Sequence, residues 1–297
     1  MGNDNIENAE LMNTDSGNYV VLANDLIKGR TALSLNASKL LRTAIMQIKP
    51  DDEELKLLKI SVDDFGEMIG TSGDSLYRDI KKTCKEIMSK PIEIMDRTNP
   101  KEDWKIISWC SYCQKRKGYI YIQLNNDLKP YLIGLKKLYT QYQLDNILRF
   151  KSSYSIKVYE LIKLGLHNIT ILKPAQIIPV EITLDSLRIA TGTEKAYPNI
   201  SDFKKRVIKP AVKDIDSIPF GMRIDHVEDI KKGKHIVGFT FYVTSWTAQN
   251  PLPPEKQKQI DDFKARMKEK ERRKKEQIKG QYDIEDYNEI FKLRGED

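Results

Sequence analysis

Residues 60–90 read ISVDDFGEMIGTSGDSLYRDIKKTCKEIMSK and carry a strong local structural signal. Ser61 precedes a short apolar-periodic run that ends at Gly70, and the turn Thr71-Ser72-Gly73 leads into a longer amphipathic run that stops before Pro91. A hydroxyl residue before a helix, a glycine after it and a proline beyond the last turn are start and stop signals of helices. The segment therefore predicts a helix, a tight turn and a second helix, which is the order of a helix-turn-helix motif.

The segments on either side complete a larger pattern. Upstream, residues 33–48 place apolar side chains at helical spacing, and LKLLKI (55–60) is predicted to be a strand. Downstream, three β-rich runs follow: PIEIMD (91–96), WKIISWCSY (104–112) and GYIYIQL (118–124), the last two separated by the basic turn QKRKG. Helix, strand, helix, turn, helix and hairpin is the order of a winged helix-turn-helix domain.

The longer helix of the motif has an apolar face and a basic face. At about 100° per residue, one arc is apolar and holds Leu76, Ile80, Cys84, Ile87 and Met88. The opposite arc holds hydroxyl and basic side chains, namely Thr71, Ser75, Arg78, Lys82 and Lys85. A few lysines on a helix are often only a solvated surface. Here Asp79 and Glu86 lie off the centre of the basic arc, which favours a face that binds DNA.

The same motif occurs a second time. ISVDDFGEMIG (60–70) aligns without gaps to ITLDSLRIATG (182–192), and after a five-residue insertion the following helix also matches. At an offset of 127, the apolar positions correspond pairwise: Leu76 to Phe203, Ile80 to Val207, and Cys84 to Ala211. A repeat of this length indicates two related domains rather than a solenoid. The predicted fold class is therefore α+β, with two tandem winged helix-turn-helix domains.

The second copy is more basic than the first. The outer face of its second helix is predicted to carry Lys205, Arg206, Lys209 and Lys213. Pro210 lies within this helix, where it is expected to cause a kink or to start a second stretch. Two alternating strands follow around KKGK, so that Gly233 turns a hairpin tipped by Lys231, Lys232 and Lys234. A lysine-tipped hairpin is often only a soluble edge, but beside two basic helices it favours a wing that contacts the DNA backbone.

Composition excludes several classes of enzyme. The chain has 297 residues and a formal charge of +7. Its three histidines, at 167, 226 and 235, form no HExxH or His-x-His pair, and GxxxxGK[ST] does not occur. Cys110 and Cys113 form one CxxC with no second pair, which favours structural thiols. We therefore expect no catalytic residue, no metal and no cofactor. The sequence also lacks a membrane-spanning run and a secretory signal, so we expect a soluble, cytoplasmic protein.

The remaining segments set the expected domain boundaries. Residues 1–18 are predicted to be a disordered tail, 19–138 the first winged-helix domain, 139–248 the second and 249–297 a charged tail. The helix RFKSSYSIKVYELIKL (149–164) is expected to open the second domain, with a polar side that carries Arg149, Lys151, Lys157 and Lys163. In the last segment, residues 264–279 include nine basic residues and only three acidic ones. This composition fits either a phosphate-binding helix or a solvated linker.

The segments RFKSSYSIKVYELIK, ITLDSLRIATG and YPNISDFKKRVIKPAVKDI, with the KKGKHIVGFTF hairpin, resemble the iteron-binding replication initiator (Rep) family of plasmids. The likeness covers about residues 18–246. It implies tandem winged helices that each place a helix in the major groove of repeated origin DNA. It also implies self-association as monomer and dimer, with the first domain as the dimerisation surface, and contact with host replication proteins such as a helicase or an initiator.

Carried over to this sequence, the resemblance assigns base recognition to Lys205, Arg206 and Lys209, and contact with the other part of each repeat to Ser75, Arg78 and Lys82. Three other functions remain open. A winged-helix transcriptional repressor would share the same fold signal. A rolling-circle nuclease using Tyr139 or Tyr142 would need a histidine–metal pair that the sequence lacks. A protein-binding adaptor would not need basic charge on two matching helix faces.

Overall fold

A computed structural model describes residues 10–11, 19–49, 51–71, 73–95, 102–167, 176–218 and 222–245. The C-terminal tail predicted for 249–297 lies outside the described residues, as does nearly all of the N-terminal tail predicted for 1–18. Within that N-terminal segment, Glu10–Leu11 form a short strand, β1, that pairs in parallel with the strand at residues 57–61.

The first part of the chain contains the predicted helix-turn-helix. After β2 (Tyr19–Ala23) and α1 (Asn24–Lys28), the elements are α2 (Leu35–Ile45), β3 (Leu57–Ser61), α3 (Val62–Ile69) and α4 (Asp74–Ser89). The strands β4 (Ile92–Met95), β5 (Trp104–Ile107), β6 (Cys110–Arg116) and β7 (Tyr119–Leu124) follow, and a 3-10 turn (Asn126–Leu128) leads into α5 (Lys129–Leu132). The predicted order of helices and strands is confirmed.

One predicted strand is in fact two. The run 104–112 divides into β5, which pairs with β4, and β6, which pairs with β7 in the sheet ordered β1-β3-β7-β6. The physical reason is Trp109, which is only 1% exposed and lies between the two strands. Burying this side chain turns the backbone out of one sheet and into the other, which an alternating sequence pattern does not reveal.

The second part repeats the architecture. Its elements are β8 (Tyr139–Gln143), α6 (Leu144–Leu148), α7 (Ser153–Gly165), β9 (Ile178–Thr183), α8 (Leu184–Thr191), α9 (Ile200–Phe203), a π-helical turn (Lys204–Ile208), α10 (Lys209–Ile215), β10 (Met222–Lys232) and β11 (His235–Ser245). The sheet order is β10-β11-β9. Because β8 pairs with β2, the two parts share strand contacts, and the boundary at residue 138/139 stays a prediction.

The two copies of the motif are capped in the same way. The Ser61 hydroxyl accepts a hydrogen bond from the amide of Asp64 at 3.2 Å, and the Thr183 hydroxyl accepts one from Ser186 at 3.1 Å. Both first helices then end on a glycine in the left-handed conformation, with φ of 70° at Gly70 and 63° at Gly192. Such caps satisfy backbone groups at both helix ends, so the repeat found in the sequence is a repeat of local structure.

Helix α7 does not have the predicted polar side. Arg149 and Lys151, just before it, are exposed, but Lys157 and Lys163 are buried. The ammonium group of Lys157 donates to the carbonyl oxygen of Ile27 at 3.0 Å, at the end of α1. A helix C-terminus has carbonyls without intrahelical partners, and a buried lysine satisfies them. Consequently α7 packs against elements of both parts of the chain.

Candidate nucleic-acid interface

The first motif is held together by a close approach of its two helices. A side-chain carbon at Gly66 of α3 would lie 2.3 Å from Cδ2 of Leu76 in α4 and 2.6 Å from the carbonyl oxygen of Thr71. That oxygen lies in the turn, whose amide at Thr71 in return donates to Gly66 at 2.8 Å. Only a residue without a side chain permits this distance, so Gly66 sets the angle at which α4 leaves the turn.

Helix α4 presents the basic face predicted from the sequence. Leu76, Ile80 and Cys84 are buried, whereas the side chains of Arg78, Lys82 and Lys85 are exposed. Ser75 lies in the first turn of the helix. Met88, predicted on the apolar arc, is 42% exposed. This part of the prediction was wrong because Met88 lies about 100° around the helix from Ile87, which is 1% exposed, so the last turn buries Ile87 and leaves Met88 at the edge of the apolar face.

The β6–β7 hairpin packs beside α4 as a wing. Its turn, Lys117–Gly118, has positive φ at both residues, 49° and 79°, as a two-residue hairpin turn requires. The ammonium group of Lys115 lies 4.3 Å from the ring centre of Tyr77 in α4, and the Tyr77 hydroxyl donates to Asp63 at 2.8 Å. The exposed cations of this wing were absent from the predicted site, although the basic turn QKRKG indicated them.

The second motif carries its bases on a helix with a π-helical turn. The amide of Lys209 donates to the carbonyl of Lys204, five residues earlier, and Pro210 follows at the start of α10. The widened turn lets the helix continue past a residue that has no amide to donate. The kink expected at Pro210 thus takes the form of a π-helical turn, within which Val207 is buried.

The predicted outer face of this helix is exposed at all four basic positions, Lys205, Arg206, Lys209 and Lys213. Lys204 differs from them, because its ammonium group pairs with Asp229 of β10 at 2.7 Å and lies over the ring of Phe239. The buried positions Phe203, Val207 and Ala211 coincide with Leu76, Ile80 and Cys84 of the first helix at the predicted offset. The four exposed cations therefore point away from the core.

Arg188 organises the turn of the second motif. It occupies the position of Gly66 in the repeat alignment and lies in α8. Its guanidinium donates to the carbonyls of Thr193, Ala196 and Tyr197 at 2.7–2.9 Å and lies over the ring of Phe203. One arginine thereby fixes the five-residue insertion before the second helix. Sequence reasoning missed this role, for which the only signal was an arginine aligned with a glycine.

The second wing is the long hairpin of β10 and β11. Gly233 turns it with φ of 62°, and Lys231, Lys232 and Lys234 at its tip are exposed. Further down the hairpin, the rings of His226 and Tyr242 stack at 4.1 Å, and Tyr242 donates to Glu228. The exposed lysines of this hairpin thus lie at its tip.

Metal-ligating side chains, cysteines and apolar helices were also compared among the described residues. No cluster of three or more His, Cys, Asp or Glu side chains among them is arranged to hold a metal ion. The three cysteines are free thiols. None of the helices in the described ranges is both long and apolar enough to cross a bilayer.

Comparison with known proteins agrees with the fold. Residues 19–163 match the family model "Initiator Replication protein, WH1", and residues 183–243 match "Initiator Rep protein, WH2". The chain is 24% identical over 202 residues to a "Replication initiation protein" of Escherichia coli, an alignment that covers 67% of this chain and 62% of that protein. It is 26% identical over 219 residues to the "PI protein" of Escherichia coli, covering 65% of this chain and 71% of that protein.

A solved structure is also similar. The crystal structure of Pi initiator protein in complex with iteron DNA superimposes with a TM-score of 0.60 at 20% identity, covering 77% of this chain and 98% of that chain. The two matching helix-turn-helix motifs, each followed by a basic wing, define a tandem winged-helix protein. Together the two family matches cover more than half of the sequence. The chain belongs to the family of plasmid replication initiator (Rep) proteins.

Proposed function

We propose that this chain initiates plasmid replication by binding repeated origin DNA with both winged helices at once. The observation that carries the proposal is the matched pair of recognition helices, which bury equivalent apolar positions and expose arginine and lysine on the outer side. Two motifs on one chain contact two stretches of major groove, so a monomer reads an asymmetric double-stranded site. The Pi initiator complex, a structural relative with iteron DNA, supports the same use of the fold.

The residues of the proposed DNA interface divide into two roles. Arg78 in the first helix and Arg206 in the second are the base readers, because a guanidinium donates two hydrogen bonds to O6 and N7 of guanine. Most of the lysines bind phosphates, which raises affinity without selecting sequence and makes binding sensitive to salt. In the first helix these are Lys82 and Lys85, with the hydroxyl of Ser75 as an additional contact. In the second they are Lys213 and the wing tip, Lys231, Lys232 and Lys234, whereas Lys205 and Lys209 are instead proposed to read bases beside Arg206.

Binding at several repeats would then act on the neighbouring duplex. Copies bound side by side bend the DNA, and an adjacent AT-rich segment unstacks most easily under that strain. The opened strands provide the site where host replication proteins, such as a helicase or an initiator, are recruited. Dimers of the same chain repress transcription of its own gene. The chain acts by binding, with no bond broken or formed and no cofactor needed.

The second candidate function is a transcriptional repressor with the same two winged helices. The test that separates the two is origin-dependent replication. A plasmid whose only origin is the chain's own upstream repeat region is supplied with wild-type protein, Arg206→Ala or Lys136→Ala. Lys136 is exposed and lies outside both motifs, so its variant is the matched control. Replication with wild type and Lys136→Ala but not with Arg206→Ala supports the initiator; repression of a promoter without any replication supports the repressor.

A further inference from the structure

A short segment between α1 and α2 contacts both helix-turn-helix motifs. This segment, residues 30–34, is called the connector below. On one side it contacts the C-terminal end of α4. The amide and hydroxyl of Ser34 donate to the carboxylate of Glu86 at 2.8 and 2.6 Å. The ammonium group of Lys90 donates to the carbonyl oxygen of Ala32 at 2.8 Å and pairs with Glu86 at the same distance.

On its other side the connector contacts the turn of the second motif. The guanidinium of Arg30 pairs with the carboxylate of Glu194, which lies two residues after the left-handed Gly192. The backbone of the turn also lies near the connector. A side-chain carbon at Gly192 would lie 3.4 Å from Cβ of Ala32 and 3.5 Å from the carbonyl oxygen of Thr31. The charge pair therefore joins the connector to this turn, whose backbone lies beside it.

The connector is itself fixed to the first motif. Arg30 and Glu93 exchange two backbone hydrogen bonds of 2.8 and 3.0 Å, and their side chains form an ion pair of 2.8 Å. Glu93 lies in β4, which follows α4 almost directly. One guanidinium thus binds a carboxylate of β4 and a carboxylate in the turn of the second motif. Because backbone and side chain are both held, the connector cannot shift relative to α4 without breaking several bonds.

The chain of contacts continues into the second recognition helix. Arg188 holds the carbonyls of residues 193, 196 and 197, so the loop that carries Glu194 is fixed to α8. The same guanidinium lies over the ring of Phe203 in α9. We propose that the connector is a spacer that fixes the distance and rotation between the two recognition helices. It thereby determines which spacing between the two halves of a DNA site the chain accepts. This inference rests on the proposed function and names Arg30 as the positioning residue.

The geometry of DNA explains why such a spacer matters. One inserted base pair moves the second half-site by about 3.4 Å and rotates it by about 35°. A rigid pair of recognition helices cannot follow that change, so it loses contacts in one groove. A loosely joined pair follows it and loses less. Specificity for spacing therefore depends on how firmly the two motifs are joined, although neither Arg30 nor Glu194 is proposed to touch DNA.

The test compares spacing discrimination among matched variants. Arg30→Gln removes the bridging charge, and Glu194→Gln removes only the link to the second motif, leaving the Arg30–Glu93 pair intact. Lys28→Gln is the control, because Lys28 is exposed at the end of α1 and its loss changes the net charge as Arg30→Gln does. Hydroxyl-radical footprints on the chain's own repeat locate the two protected halves. Affinity is then measured for the native repeat and for repeats with one base pair inserted or deleted between those halves.

We expect Arg30→Gln and Glu194→Gln to bind the native repeat with an affinity within about twofold of wild type. The loss of affinity caused by the inserted base pair should become about three- to fivefold smaller in these variants, which matches the energy of one partly exposed ion pair. Lys28→Gln should keep the full penalty. Because the pair is partly exposed, the effect should be largest at low salt. Without DNA, amide exchange in residues 189–199 should rise at least about threefold in the first two variants only.

The outcomes separate the two proposals. If wild type prefers the repeat over scrambled DNA but all variants keep its spacing penalty and exchange rates, the connector is not the spacer and the proposed function stands. If wild type binds repeat and scrambled DNA equally, the proposed function fails and the spacer role fails with it.

Discussion

Arg42 of α2 and Glu160 of α7 form a fully buried, two-pronged ion pair. Nε of Arg42 lies 3.1 Å from Oε1 of Glu160, and Nη2 lies 3.1 Å from Oε2. The hydroxyl of Tyr142 donates to the same carboxylate at 2.6 Å. Burial alone would raise the pKa of Glu160, but the charges of Arg42 and Lys157 outweigh it and lower the pKa below its usual value. The pair therefore fixes α7 against α2.

Removing one charge of this pair should be far worse than removing both. Glu160→Gln leaves the Arg42 guanidinium buried without a counter-charge, which should cost about 3–5 kcal/mol of unfolding free energy. The double variant Arg42→Met/Glu160→Gln should recover part of that loss, because the Arg42 charge is gone and only Lys157, which also donates to the carbonyl of Ile27, keeps a buried charge without Glu160. Urea unfolding of the two single variants and the double variant measures this. If the loss of unfolding free energy in the double variant equals the sum of the losses in the two single variants, the two side chains are not coupled.

Lys157 predicts a pH dependence of stability. Burial is the largest influence on it and lowers its pKa from 10.5 to about 8, although Glu160 acts in the opposite direction. Between pH 8 and 10.5 the unfolded chain thus holds a proton that the folded chain has released, so this residue makes stability rise with pH in that window. The unfolding free energy of wild type, relative to that of Lys157→Met, should increase by roughly 1 kcal/mol per pH unit from pH 8 to 10. A difference that stays flat or falls with pH would be the opposite result.

A side chain at position 66 should destabilise the first motif by steric overlap. Gly66→Ala places a carbon 2.3 Å from Leu76 and 2.6 Å from the Thr71 carbonyl oxygen, so α4 must shift or the core must strain. Unfolding free energy should fall by about 1–3 kcal/mol, as overpacked positions do. Glu67→Ala, one residue further along α3 and exposed, should change it by less than about 0.5 kcal/mol. Equal stability of the two variants would show that the close approach is not needed.

Removing the lysines of the second wing tip should weaken the salt dependence of DNA affinity. Replacing Lys231, Lys232 and Lys234 together by Gln should reduce the slope of log affinity against log salt by about 2–3, because each phosphate contact contributes about 0.9 to the slope. Affinity for repeat and scrambled DNA should fall by the same factor, since phosphate contacts do not read sequence. Lys136→Gln/Lys137→Gln, which removes exposed cations outside both motifs, is the control. A loss restricted to the repeat would instead assign base recognition to the tip.

Local signals made much of this fold predictable. The hydroxyl caps at Ser61 and Thr183 and the left-handed glycines at 70 and 192 act within a few residues of their own positions, so the sequence pattern shows them directly. The basic faces followed from helical periodicity in the same way. Their contact with DNA stays a prediction.

What the sequence did not predict depends on distant parts of the chain. Lys157 was assigned to the polar side of its helix because it is charged. In the structure it is buried and donates to a carbonyl oxygen at the end of α1, 130 residues away in sequence. The interruption of the strand at Trp109 likewise depends on burial in the tertiary structure. The contact between Arg30 of the connector and Glu194 joins segments that are far apart in sequence. Neither periodicity nor capping rules contain such pairings, which only tertiary packing creates.

Arg206→Ala is the most direct test of base reading by the second recognition helix. Equilibrium binding of wild type and variant is measured on the chain's own repeat DNA and on a scrambled duplex across a salt titration. The account predicts strong, salt-sensitive preference of wild type for the repeat, and a loss of about 1–3 kcal/mol on the repeat alone in Arg206→Ala. Equal binding of both duplexes by wild type, or an equal loss on both in the variant, would contradict it.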